Sequence, residues 1–204
     1  MTVDAARGRD ALAVGVSMPL SDGIDWHASL AIARWDAEQT AWATARLGGQ
    51  PTGVDFADLG IAPYLETQVE HNLLTTAGIG RIVTLLNAGT GNLIASTTVR
   101  VGTGNGAGSA AIGDTDLSAA AGSANRWFQT CTVTVPSNVL TFVAVFGTAD
   151  GNYAWNEWGA DVGTATVSSG NTVGTVLLNH KTSIAQGTKA SGQTWTATAT
   201  ITIS

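Results

Sequence analysis

Residues 194–203 read TWTATATITI, ten positions in unbroken alternation. Trp195, Ala197, Ala199, Ile201 and Ile203 fall on one side, and Thr194, Thr196, Thr198, Thr200 and Thr202 on the other. A period of two is the period of a β-strand. A strand with one apolar face and one threonine face is half-buried, and its backbone N–H and C=O groups need partners on neighbouring strands. The chain must therefore build a sheet around this segment. The same half of the sequence supplies the neighbours. TCTVTVPSNVLTFVAVF reads as two strands around Pro136, Ser137 and Asn138. Val133 and Val135 share a face of the first. Phe142, Ala144 and Phe146 share a face of the second, with Val143 and Val145 opposite. TVGTVLLNHKTS adds further strand, and turns rich in Gly, Ser, Asn and Asp separate these runs. The expectation is a mainly β fold, an antiparallel β-sandwich of jelly-roll-like type.

The first half reads differently. It holds fifteen charged residues in 1–99, against nine in 100–204. Val69, Leu73, Leu74, Ala77, Ile82, Leu85 and Leu86 approximate a helical stripe, which predicts one helix near 69–87, weakened at Gly78 and Gly80. Residues 24–47 favour helix by their alanines. Leu30 and Ile32 alternate, however, as do Trp42, Thr44 and Arg46, and a turn fits at Asp36–Gln39, so a hairpin is the expectation. The domain reading is an N-terminal docking or oligomerisation segment over 1–68, followed by a helix and β-sandwich over 69–204.

Only 12% of the residues are charged and the net charge is −6. Sparse charge suits a surface partly covered by other subunits. The negative balance argues against nucleic acid, whose phosphates call for a basic patch. The polar start MTVDAARGRD is not a secretory signal, and the long uncharged run 127–149 is two strands and a turn rather than a membrane span, so the expected site of synthesis is a cytoplasm. The single cysteine, Cys131, excludes an intrachain disulfide and reads as a buried thiol.

Several stretches imitate chemistry. VGTGNGAG has Ala107 where G-x-G-x-x-G needs its third glycine, and no Lys-Ser or Lys-Thr follows, so it reads as a loop rather than a nucleotide site. Asp114 and Asp116, with Asn105 upstream, have a spacing that calcium could use, but an Asx turn accounts for it better, and no metal site is expected. His27, His71 and His180 form no ligand pair, and no G-x-S-x-G elbow is present. No cofactor is expected.

GNYAWNEWGADVG, residues 151–163, is the richest stretch. As a strand it places Tyr153, Trp155 and Glu157 on one face, with Asn156 and Trp158 on the other. A glycosidase needs a second carboxylate at a set distance. Asp161, two strand repeats on, lies roughly 13 Å away. The better reading of Glu157 is a buried acceptor of backbone N–H groups that pins a neighbouring loop.

From about residue 72 onward, NLLTTAGIGRIVTLL, RVGTGNGAGSAAIGDTDLSAAAG, LTFVAVFGTADGNYAWNEWGADVG, LLNHKTS and GTKASGQTWTATATITIS occur in an order that resembles a group of tailed-bacteriophage virion proteins. The Glu-x-Gly core also looks like a strand of phage tail-collar and fibre-adaptor domains. The resemblance implies a non-enzymatic particle component with a β-sandwich, often oligomeric. Under it, Trp155 and Trp158 are packing anchors on opposite faces, Glu157 is a backbone-pinning acceptor, and Gly159 permits a bend or close backbone approach. The expected role is capsid decoration or a minor capsid protein, with a tail or baseplate fibre adaptor as the alternative. The expected location is the virion, assembled in the host cytoplasm. Other virion proteins and copies of the same chain, a trimer first, are the expected partners, and Trp26, Trp35 and Trp42 the expected interface anchors. Two rivals remain: a carbohydrate-binding adsorption module stacking sugars on Tyr153 and Trp155, and a depolymerase using Glu157.

Overall fold

The computed structural model describes residues 26–70, 72–88, 94–163, 166–174 and 176–203. In chain order the elements are β1 (Trp26–Trp35), α1 (Ala37–Leu47), α2 (Gly53–Asp58), β2 (Leu65–Glu70), β3 (Leu73–Leu74), α3 (Thr76–Ala88), β4 (Val99–Gly104), β5 (Arg126–Thr134), β6 (Val139–Phe146), β7 (Glu157–Val162), β8 (Val176–Leu177), β9 (Asn179–Thr182) and β10 (Thr194–Ile203). The architecture is mainly β and its strand pairs are antiparallel.

The strands run β2-β1-β10-β6-β5-β4-β7-β9-β3, with β8 beside β7. β5 is the corner. Its first half pairs with β4 (Gly102 opposite Phe128) and its second half with β6 (Val133 opposite Phe142). A strand shared in this way lets the sheet curl over its own apolar face. Leu30, Ile32, Phe142, Ala144, Phe146, Ala197, Ala199 and Ile201 from one half join Val99, Val101, Trp158, Ala160 and Val162 from the other in one core. Trp155 seals the end, edge-on to Phe146 and Trp195 with ring centroids 4.7 and 4.8 Å away.

The N-terminal half does not stand apart from this sheet. β1 pairs with β10 over ten residues, and β2 crosses the expected boundary at 68/69. The docking segment, so far as it concerns residues 1–25, lies outside the described residues. The hairpin expected in 24–47 has its first strand, but the return limb is a helix. Asp36 accepts from the Gln39 N–H at 2.8 Å and Gln39 returns a bond to the Asp36 N–H at 3.0 Å, a reciprocal capping box that starts α1 one residue after β1 ends. Gly48 closes it with a left-handed φ of 74°. The helix near 69–87 starts later than expected. Residues 65–70 are drawn into the sheet as β2, and α3 begins at Thr76, where Thr75 Oγ1 accepts from the Gly78 N–H at 2.9 Å.

Of the three expected interface tryptophans, Trp35 is no anchor for a partner. It lies 4.3 Å from Phe56 of α2 with rings 5° from parallel, both buried, and its indole N–H donates to the Ile61 carbonyl. Trp26 packs half-buried on the main core, whereas Trp42 on α1 is 50% exposed.

Candidate functional site

β4 and β7 lie side by side in the middle of the sheet with every residue buried. One face of this pair looks into the main core. The other carries Glu157 and Asp161 from β7, and Arg100, Gly102 and Gly104 from β4, under two long loops. Gly102, Gly104 and Gly106 follow the strand period. A Cβ at 102 would overlap the Phe128 ring. At 104 or 106 it would enter the space of the Glu157 carboxylate. The three glycines that imitate a phosphate loop therefore make room for one aromatic ring and one acid.

Glu157 is fully buried. Its Oε2 accepts from the Ser118 N–H at 2.8 Å, the Ser118 hydroxyl at 2.7 Å and His180 Nε2 at 2.9 Å, while Oε1 accepts from the Ala119 N–H at 2.7 Å. The other nitrogen of His180, Nδ1, lies 2.6 Å from Asp114 Oδ2, which also accepts from the Ala111 N–H. Burial works to raise the Glu157 pKa. His180, the Ser118 hydroxyl and the two backbone donors outweigh it and hold the carboxyl at about 2. Burial likewise acts to lower His180, but its two carboxylate partners raise it above the ordinary 6.5. This is the geometry of a pinning acceptor: β7 holds the loop at 118–119 through one carboxylate.

Asp161 repeats the device one loop further. Arg100 donates to it through Nε at 3.1 Å and Nη2 at 2.5 Å, the Gly174 N–H donates to Oδ2, and the same guanidinium reaches the Ser168 and Thr172 carbonyls at 2.8 Å. Arg126 joins the two loops. It donates to the Ala119 carbonyl at 3.2 Å and the Asn171 carbonyl at 2.7 Å, and pairs with Asp116 at 2.9 Å. Asp114 and Asp116 thus turn to different cations, His180 and Arg126, and do not converge as a calcium loop requires. Among the described residues no group of three or more His, Cys, Asp or Glu side chains is placed to hold a metal ion.

Gly159 gives the close approach expected of it, because a Cβ there would overlap the Asn179 carbonyl. The two tryptophans depart from expectation. Trp155 precedes β7, its N–H bonded to Gly187 and its carbonyl to Gln186, and the irregular backbone brings it and Trp158 into the same core rather than onto opposite faces. Tyr153 is buried with its hydroxyl on the Thr103 carbonyl at 2.9 Å, and Trp155 is fully buried, so neither ring offers a face to a sugar. Cys131 is buried and its thiol pushed up to about 12 by burial.

No protein-family model, curated protein or solved structure matches this chain.

His180 and Ser118 are the members of this site that the sequence reading did not assemble. The glycines at 102, 104 and 106 were the available signal, since glycine at every second position on a strand marks something pressed against that face.

Proposed function

We propose that this chain is a non-enzymatic building block of a tailed-phage particle, a capsid decoration or minor capsid protein in which the Glu157 network braces the sheet. The observation that carries the reading is the saturation of Glu157. Four donors surround it, two of them backbone N–H groups, and a carboxyl held near 2 is a poor proton donor or acceptor at neutral pH. Asp161, the other acid on that face, is held by Arg100 and the Gly174 N–H. Both acids organise loops on a rigid sheet, which suits a component that presents a fixed surface to neighbours.

The surface for those neighbours is best sought at α1, α2 and the start of β2. Trp42, Leu47, Val54, Tyr64 and Leu65 are all 41–69% exposed there. Large exposed apolar side chains gathered in one part of a chain mark contact surfaces. Copies of the chain and other virion proteins are the partners this implies. The protein should be present in purified particles at a fixed ratio to the major capsid protein, and electron-microscopy maps should place it on the head. Absence from the particle refutes the reading, and density on the tail replaces decoration with a fibre-adaptor role.

A further inference from the structure

We propose that His180 is a pH-sensitive latch, which releases the Asp114 side of the glycine-rich loop as the solution turns alkaline and leaves the Glu157 side fastened. The His180 ring sits between two carboxylates. Nδ1 is 2.6 Å from Asp114 Oδ2 and Nε2 is 2.9 Å from Glu157 Oε2. An ionised carboxylate can only accept, so a ring bonded to two of them carries a hydrogen on each nitrogen and is an imidazolium. Glu157 stays ionised, because Ser118 and Ala119 supply three further donors.

The proton that leaves on deprotonation is then decided by geometry. Nε2–H faces a fully buried carboxylate fixed in position by those donors. Nδ1–H faces Asp114, which is 24% exposed on its side chain and, among the described residues, has only the Ala111 N–H besides. Loss of the Nδ1 hydrogen sets a nitrogen lone pair against a carboxylate oxygen at hydrogen-bond distance. The mobile partner is Asp114, which can turn to water. Among the described residues two charged groups face the ring, Glu157 from β7 and Asp114 from the loop, while β3, paired with His180 through Leu73, brings only leucines.

Among the described residues little else retains the loop on that side. Residues 107–109 and 111–113 are exposed, and the remaining ties there are the Ala110 N–H to Thr182 Oγ1 at 3.3 Å and the Thr76 N–H to the Ile112 carbonyl at 2.7 Å. The second tie reaches the first residue of α3, so release of Asp114 loosens the start of that helix as well. Opening stops at Asp116, where the Arg126 pair, the buried Leu117 and the Glu157 clamp begin. Local opening of a weakly buried segment next to a strongly held one is the behaviour expected of such a loop. The raised pKa of His180 places the release above 6.5.

The test uses the intact chain labelled with nitrogen-15. His180 ring-nitrogen shifts and amide exchange, corrected for the intrinsic pH dependence of exchange, are followed from pH 5 to pH 10. Both ring nitrogens should be protonated at pH 6. Protection of the Ala110, Ala111 and Asp114 amides, the hydrogen-bonded ones of the loop, should fall at least about tenfold with the same midpoint as the ring, while the amides of Ser118 and Ala119 keep theirs. Asp114→Asn, a partly exposed change that leaves Glu157 in place, should lower the His180 midpoint, because the ring then faces a neutral amide where it faced a carboxylate. A neutral ring at pH 6 overturns the proposal. So does a loop whose exchange ignores the His180 midpoint, or an Asp114→Asn protein with an unchanged midpoint, or protection lost at Ser118 and Ala119 together with Ala110, Ala111 and Asp114.

Discussion

Replacing Glu157 with Gln removes one oxygen's worth of acceptor and the charge, and little else. The amide has a single oxygen. Turned towards Ser118 and His180, that oxygen keeps the three bonds now made by Oε2 and sets an NH2 against the Ala119 N–H. Turned the other way, it keeps Ala119 and sets the NH2 against the Ser118 N–H and His180. Either way a buried backbone N–H loses its acceptor, at about 1–3 kcal/mol. His180 also loses a charged partner, and breaking a buried pair from one side costs about 3–5 kcal/mol. The lowered pKa expresses the same bonds as a free energy. A carboxyl lowered from 4.5 to about 2 contributes about 3 kcal/mol to folding at neutral pH. The expected loss for Glu157→Gln is thus about 3–5 kcal/mol. Urea titration at pH 7, followed by tryptophan fluorescence, should move the midpoint to lower urea at unchanged slope. A loss below about 1 kcal/mol would refute the claim that this carboxylate holds the loop. Glycan hydrolysis by the wild type that Glu157→Gln abolishes at full stability would establish the depolymerase instead.

Stability should have two pH limits from this network. The Glu157 contribution is fully present above 4.5 and should be lost as pH falls towards about 2, whereas the His180 contribution is full below 6.5 and should fade as pH rises through its raised value. Urea midpoints from pH 2 to pH 10 test both limbs, and a flat profile in Asp114→Asn on the alkaline side would mark that limb as belonging to the latch. Trp42→Ala should leave the unfolding free energy from urea titration within about 0.5 kcal/mol of wild type and reduce self-association or particle occupancy, read by light scattering and by mass spectrometry of particles. Lys189 is fully buried with its ammonium on the Gly147 carbonyl and Asn152 Oδ1, and burial lowers it to about 8. An amine-acylating reagent should therefore modify Lys181 and spare Lys189 until the protein is unfolded.

The strands of the C-terminal half were legible because alternation is a local signal. Phe142, Ala144 and Phe146 face the core together, as do Trp195, Ala197, Ala199 and Ile201. Helix α1 was obscured because its residues alternate by accident as well as being helix formers, while the deciding signal, Asp36 three residues before Gln39, is a capping box. Val69 looked helical because it lies near the start of a real helix, but β1 offered an edge and residues 65–70 took it. The pinning role of Glu157 could be reasoned from burial of a lone acid. Its donors could not be named, because Ser118 and Ala119 lie 39 and 38 positions away. The His180 bridge depends on Asp114 and Glu157 meeting across 66 and 23 residues, which no spacing rule encodes.

β1 and β10, the first and last strands described, are zipped together along ten residues at the interior of the sheet, with β2 and β6 on their outer sides. During synthesis the strand at 26–35 must wait for a partner some 160 residues behind it, so the sheet cannot close until residues 194–203 have left the ribosome. Such distant pairing is slow, and unmatched edges invite the wrong neighbour. Truncation at residue 193 should accordingly yield aggregates rather than a smaller soluble protein, since it bares the flanks of β1 and β6 at once.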